Sequence, residues 1–301
     1  MSVKLAFSTV TCPDWTLAKV AELAEALGFD GVELRTLGAG ESDLACDPAL
    51  TDPQKVSDIF RSSGMEPICL STSTSLHHRN KSAATAAHRQ VIKDLDLASL
   101  IGCSFVRIFV YDAGPGEDRR SVIQRAAKSA LPLAERAGEL GVQLLFENAG
   151  SFTAAKHWWW LLNQVDHPML GLLWNVANAA ASGESSAVSV PTLNSRIQMA
   201  KVKDTMVGEG SGFVPLGEGT VGIEAFIKQL LGVGYSGYLT VEWDRVWLPS
   251  LTPAEEYLPQ ALERIKGWLE DIQKSEEKGV EVAEKAAKRN APKPRPKYVP
   301  A

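Results

Sequence analysis

The chain has 301 residues, of which 45% are hydrophobic and 22% charged, a composition typical of a folded globular protein. Its formal net charge of −5 leaves no basic excess for a nucleic-acid backbone or an acidic membrane surface, so we expect small molecules as partners. The N-terminal apolar run is too short for a signal peptide or a membrane span, which predicts a cytoplasmic protein. Cys12, Cys46, Cys69 and Cys103 form no CxxC pair, and we expect them to be reduced and buried.

Short apolar runs recur about every thirty residues, and most follow an amphipathic stretch that ends in glycine. Glycine after a helix adopts the left-handed conformation that lets the chain turn back into a strand. Eight strand candidates result, near residues 4–8, 32–34, 67–70, 105–110, 142–147, 172–174, 198–203 and 238–242. This number and the chain length predict an α/β fold, a (β/α)8 TIM barrel. The alternative, a doubly wound open sheet, often has a Gly-rich phosphate-binding turn, and neither GxGxxG nor a Walker sequence occurs.

Helix-starting residues agree with this alternation. They are Asp14, Ser82, Asp118 and the pair Thr252-Pro253. After Ile272 the chain becomes highly charged and then Pro-rich, which is typical of a frayed helix running into a polyproline-like tail. We therefore expect one barrel domain over residues 1–272 and an extension over 273–301 that is either solvated or straps a partner subunit.

Active sites of such barrels gather at the carboxyl ends of the strands. Glu147 and Glu242 close two apolar strands there, and a buried carboxylate needs a cation or a metal as a partner. Lys201 and Lys203 lie two residues apart and so share one face of a strand. Such a cluster either holds the barrel together through salt bridges or serves acid–base chemistry.

Six segments of the chain form a recognisable set: GFDGVELR, VRIFV, LLFENAGSF, GLLWNVANA, KVKD with VPLGEG, and GYSGYLTVEWD. In their order and spacing they resemble the xylose isomerase-like TIM barrels, and within that family the sugar isomerase/epimerase branch. The resemblance implies an enzyme that isomerises or epimerises a small sugar or polyol-derived substrate, or catalyses a related dehydration, by moving a proton next to a carbonyl. Glu147 and Glu242 fall on the positions of the acid–base pair.

The resemblance also implies a divalent metal, Mn²⁺ or Mg²⁺, whose ligands would include Glu147, Glu242 and, if a metal binds here, Asn175. The family's aspartate falls on Asn175, its strand-seven histidine on Lys201, and a further common histidine on Asn178. A protonated lysine has no lone pair for a metal, so we predict no metal ligand set. We hypothesise instead that the Lys201 ammonium replaces the metal and polarises a carbonyl or, with a lowered pKa, forms an imine.

The resulting hypothesis gives catalysis to Glu147, Glu242 and Lys201. The expected substrate-binding residues are Arg107, Lys203, Asn175, Asn178, Trp243 and His77. Trp243 would stack on a sugar face, whereas the alternative for His77 is a merely solvated loop residue. In the run Trp158–Trp160 at least one ring should meet a neighbouring loop or subunit, and we favour a subunit contact, and hence a homo-oligomer, over a sugar-stacking platform. A competing hypothesis is a barrel without catalysis that binds a sugar or serves as an assembly subunit.

Overall fold

The computed structural model describes residues 3–37, 52–208 and 212–289, so Cys46 and the end of the predicted tail lie outside the described residues. Strands and helices alternate along the chain. The strands are β1 (Lys4–Ser8), β2 (Gly31–Arg35), β3 (Glu66–Ser75), β4 (Phe105–Phe109), β5 (Gln143–Glu147), β6 (Leu170–Asn175), β7 (Ile197–Val202), β8 (Asp204–Thr205), β9 (Phe213–Val214) and β10 (Tyr238–Val241). The helices are α1 (Leu17–Leu27), α2 (Pro53–Ser63), α3 (Lys81–Ile101), α4 (Arg119–Leu140), α5 (Ala155–Val165), α6 (Val176–Ala181), α7 (Ser186–Leu193), α8 (Ile223–Gly232) and α9 (Ala254–Arg289).

Within the described residues, eight parallel strands close a barrel in the order β1-β10-β7-β6-β5-β4-β3-β2. β8 and β9 form a separate antiparallel ribbon between β7 and α8. The predicted TIM barrel is thereby confirmed, with β10 as its eighth strand. No helix in the described part of the chain is long and apolar enough to cross a membrane.

Helix starts differ from the sequence prediction by a few residues. Thr16 rather than Asp14 caps α1, because its Oγ1 accepts the Lys19 backbone N–H at 3.3 Å. Asn80 rather than Ser82 caps α3 in the same way. The Asp118 cap of α4 is confirmed. The last helix, α9, continues past Ile272 to Arg289.

Two hydrophobic cores lie on opposite faces of the barrel strands. The larger core packs the outer faces of the strands against the helices, and it buries Trp158 completely. The smaller core lies inside the barrel and is built from Ala6, Cys69, Leu145, Leu173 and Met199 with their neighbours. Successive side chains of a strand alternate between these two faces. Above the inner core, the alternation brings polar side chains to the carboxyl ends of the strands.

Three of the four cysteines, Cys12, Cys69 and Cys103, are buried free thiols, as predicted. The tryptophan run divides among environments: Trp158 is buried, Trp160 is partly buried against the outer core, and Trp159 is 47% exposed. Trp159 thus keeps an apolar surface on the outside of the barrel. The subunit contact expected from this run stays a prediction.

A buried ion-pair cluster at the barrel mouth

Four charged side chains converge inside the barrel at the carboxyl ends of their strands. Glu33 comes from β2, Glu147 from β5, Lys201 from β7, and Glu242 directly follows β10. Glu33 and Lys201 are fully buried, and Glu147 and Glu242 keep exposed fractions of 4% and 6%. Of these four side chains, Glu147 and Glu242 are therefore the ones nearest to solvent.

The Lys201 ammonium lies among three carboxylates. Its Nζ is 2.7 Å from Glu242 Oε2, 3.0 Å from Glu33 Oε1 and 3.4 Å from Glu147 Oε2. The sequence analysis expected two of these carboxylates and did not select Glu33. A usable signal existed, because alternation in Gly31–Arg35 gives Glu33 and Arg35 the same face of β2.

Further cations complete the cluster. Lys203 Nζ bridges Glu242 Oε1 at 2.8 Å and Asp244 Oδ2 at 3.0 Å, and Arg107 Nε lies 3.0 Å from Glu147 Oε2. Counted with the buried Arg35, the described residues place four cationic groups beside four carboxylates here. The members are Arg35, Arg107, Lys201 and Lys203 with Glu33, Glu147, Glu242 and Asp244. The mouth is thus balanced in charge, which is what burial of so many ions requires.

The pKa values follow from this pairing. Burial alone would lower the pKa of Lys201, but Glu147, Glu242 and Glu33 together raise it well above its usual range. Burial alone would raise the pKa values of Glu147 and Glu242, yet their cationic neighbours, above all Lys201, lower both. At neutral pH the ammonium and both carboxylates are therefore charged. The lowered lysine pKa that an imine would need is contradicted, because three carboxylates outweigh desolvation.

Asparagines join the ends of β5 and β6. Asn175 Nδ2 donates to Glu147 Oε1 at 3.0 Å, while Asn175 Oδ1 accepts the Asn178 backbone N–H at 3.4 Å. Asn178 Nδ2 donates to the Asn148 carbonyl, and Asn148 Oδ1 accepts the Asn175 N–H. The amides of Asn175 and Asn178 thus already position this edge of the barrel, and Asn148 is a structural residue that the sequence analysis missed.

This geometry does not fit the divalent metal that the resemblance implies. The Lys201 ammonium occupies the point on which the carboxylates converge, and it repels a cation. Asn175 turns its Nδ2 donor, not its oxygen, toward Glu147. Across residues 3–37, 52–208 and 212–289, no group of three or more His, Cys, Asp or Glu side chains could hold a metal ion.

Three expected substrate contacts need correction or comment. Trp243 is 2% exposed, stacks on Tyr257 at 4.1 Å between ring centroids and donates from Nε1 to the Thr252 carbonyl, so it offers no free face to a sugar. Arg107 is 2% exposed and pairs with Glu147, and its contact with a substrate stays a prediction. His77 lies partly buried in the loop after β3 with Nδ1 2.7 Å from Ser75 Oγ.

A cleft of about 380 Å³ opens at the opposite end of the barrel. Its lining includes Lys4, Gln198 and Tyr238, which lie at or near the starts of their strands. Since catalytic groups of such barrels lie at the other end, we do not assign the active site to this cleft.

The closed parallel barrel defines a TIM-barrel protein, and its charged mouth lies at the end of the barrel where this fold gathers its functional residues. More narrowly, the chain belongs to the xylose isomerase-like TIM barrel family, whose model matches residues 21–271. No curated protein matches the chain by sequence.

Solved structures agree on the fold. The IOLI protein with a binding zinc atom superposes with a TM-score of 0.76 at 20% identity, covering 90% of this chain and 98% of its own. An L-ribulose 3-epimerase gives 0.75 at 16% identity, covering 91% and 97%. The D-allulose 3-epimerase from Methylomonas sp., in complex with D-allulose, gives 0.71 at 19% identity, covering 88% and 97%. At these identities, the comparisons establish a shared barrel.

Proposed function

We propose that this protein is an isomerase/epimerase-like enzyme that moves a proton next to the carbonyl of a small carbohydrate without a bound metal. The main observation is the placement of the Lys201 ammonium 2.7 Å from Glu242 and 3.4 Å from Glu147. A fixed positive charge there can stabilise the negative charge that develops on a substrate oxygen. Family membership and the epimerases among the structural neighbours support the reaction class.

The ionised carboxylates are suited to accept protons. In the proposed step, Glu242 or Glu147 takes the proton from the carbon beside the carbonyl, and the C–H electron pair moves into an enediolate. Returning that proton to the former carbonyl carbon, while the adjacent hydroxyl gives its proton to the former carbonyl oxygen and becomes the new carbonyl, completes isomerisation. Delivering a proton to the opposite face of the original carbon, as the former carbonyl re-forms, completes epimerisation. In the related dehydration, the electron pair instead expels a hydroxyl group, which leaves as water after protonation.

The cations of the cluster differ in their exposure to solvent, and we assign their roles accordingly. Lys203 is the most exposed charged group of the cluster, with 12% of its side chain accessible, against 1% for Lys201. We therefore assign Lys203 to direct contact with the carbonyl or an adjacent hydroxyl oxygen. Lys201 is more deeply buried than Glu147 and Glu242, and its positive charge acts on the substrate oxygen without direct contact. Arg107 and Asn175 hold Glu147 in place. His77 stays a candidate for a contact at the rim.

A second candidate is a barrel without catalysis that binds a sugar or serves in an assembly. The observation in its favour is that both glutamates are ion-paired and have lowered pKa values, which makes them weak bases. The same cluster would then be a structural device that holds the strand ends together.

Solvent exchange separates the two candidates. Purified protein, stripped with a chelator and assayed for metal content, is incubated in D₂O with a panel of ketoses, with and without added Mn²⁺. We expect deuterium next to the carbonyl in the metal-free sample, loss of exchange in Glu242→Gln, and no change in Glu263→Gln, an exposed glutamate on α9. Exchange that depends on Mn²⁺, or stoichiometric bound metal, would contradict the metal-free proposal. Sugar binding without any exchange would favour the non-catalytic barrel.

A further inference from the structure

Two phenylalanines remain partly exposed beside the charged cluster, where the sequence analysis expected a tryptophan. Phe109 lies with its ring centroid 4.2 Å from Arg107 Cζ, and the Phe213 ring centroid is 5.0 Å from Lys203 Nζ. Each ring thus adjoins one cation of the cluster. Trp243 is unsuited to this role because Tyr257 covers its face.

The two rings come from different sides of the barrel. Phe109 ends β4 and shares the inward face with Arg107, two residues earlier. Phe213 lies in β9, which pairs with β8 just beyond the end of β7. Around the barrel, β5 and β6 separate β4 from β7. The charged cluster therefore has one aromatic ring at each of two separated positions of its rim.

Phe213 pairs with Thr205 in the β8–β9 ribbon, and the residues on either side of this pair are anchored by hydrogen bonds. The buried Asp204 carboxylate accepts backbone N–H groups from Thr205, Gly217, Gly219 and Val221 at 2.9–3.3 Å. These bonds tie the segment after β9 to Asp204 at the start of β8, the strand that pairs with β9. A ring with such support is positioned in advance, which lowers the entropy lost when a ligand packs on it.

We infer that Phe109 and Phe213 are the aromatic walls of the substrate site, packing on the C–H faces of a small carbohydrate while Lys203 and Asp244 bind its hydroxyl groups. This inference rests on the proposed function, because it assigns the ligand of the same mouth. The chemistry is complementary: sugars present apolar C–H patches beside hydroxyls, and the mouth presents rings beside ionised groups.

Ligand binding by variants tests the inference. The sugar that gives the strongest saturation-transfer NMR signal with the wild-type protein is titrated calorimetrically into Phe109→Ala, Phe213→Ala and the corresponding Phe→Tyr variants. Trp159→Ala, which removes an exposed ring from the outer surface, is the matched control. We expect each alanine variant to bind about 5- to 30-fold more weakly, the tyrosine variants to recover most of the affinity, and the control to match wild type.

The outcomes are distinguishable. If the wild-type protein binds a sugar and both alanine variants bind it equally well while folded, the aromatic walls are refuted and the proposed function stands. If the wild-type protein binds no sugar of the panel, the proposed function and this assignment of its ligand both fail. If exchange activity is present, a rise in KM with little change in kcat supports the inference. A fall in kcat alone opposes it.

Discussion

Replacing Lys201 by methionine removes the charge at the centre of the cluster and keeps a side chain of similar length. Three carboxylates then face one another around the former ammonium position, where they now lie within 3.4 Å of Nζ. Glu147 keeps Arg107 and Glu242 keeps Lys203 as partners. Glu33 keeps the Ser71 hydroxyl, which donates to its Oε1. Arg35 also lies close enough to interact with the Glu33 charge, so each of the three carboxylates loses one cation and keeps another nearby.

The expected magnitude follows from that distribution of partners. Removing one member of a buried ion pair leaves an uncompensated charge and lowers the free energy of unfolding by about 3–5 kcal/mol. Three carboxylates lose a partner, but Glu147 and Glu242 retain cations. We therefore expect Lys201→Met to lower the free energy of unfolding near neutral pH by an amount within this range, and not by that amount for each carboxylate. Lys19→Met is the control, because Lys19 forms an exposed ion pair with Glu255 that is worth at most about 1 kcal/mol.

The pH dependence has a definite sign. In the wild-type protein the pKa values of Glu147 and Glu242 are lowered on folding, so their stabilisation is full above their unfolded values and is lost as the pH falls through the folded ones. Lys201 makes the largest contribution that lowers these two pKa values, so part of this stabilisation is missing in Lys201→Met above the unfolded values. The loss in the free energy of unfolding caused by Lys201→Met should therefore shrink as the pH falls through the ordinary carboxylate range, from about pH 6 to about pH 3.

Urea denaturation of both variants at several pH values measures this. A deficit below about 1 kcal/mol, or one that does not change with pH, would refute the view that the ammonium neutralises buried carboxylates.

Further predictions concern other sites. Burial raises the pKa of Asp94 to about 6, so its favourable contribution is full below the unfolded value and is lost as the pH rises through 6. Asp94→Asn should therefore raise the free energy of unfolding by about 1–3 kcal/mol at pH 8 and have little effect at pH 4. Thermal unfolding at the two pH values measures this, and equal effects at pH 8 and pH 4 would contradict the prediction. Gly267→Ala, in α9 with open space around the added Cβ, should stabilise by about 0.5–1 kcal/mol in urea denaturation. Gly219→Ala should destabilise by about 1–3 kcal/mol, since the Cβ would lie 2.1 Å from Asp204 Oδ1; a neutral result would show that the ribbon is looser than its hydrogen bonds indicate.

The fold was largely predictable because its determinants are local. Apolar runs with period two, and caps such as Asp118 and Gly141, depend on neighbouring residues alone, and the strands agree with them. The errors at Asp14 and Ser82 have a local cause as well. Several adjacent residues could accept the first N–H groups of a helix, and the backbone conformation of Thr16 and Asn80 selects them.

The site was predictable in part. Glu147, Lys201 and Glu242 stood out because charged residues at the ends of apolar strands must find partners inside the barrel. Trp243 was misjudged, because a strand end brings neighbouring side chains to opposite faces, and Trp243 packs outward on Tyr257. Glu33 was overlooked because it lies in the middle of β2, whereas Glu147 and Glu242 stood out by closing their apolar strands.

Local patterns in the amino-acid sequence were enough to predict the alternation of strands and helices, the barrel they form and most of its main charged residues. The folded barrel was needed to show that Lys201 pairs with three carboxylates, that its pKa is raised and not lowered, and that Phe109 and Phe213 adjoin the cluster. The physical reason is that ionisation and access depend on distances between side chains from different strands, which barrel closure alone brings to within about 3 Å.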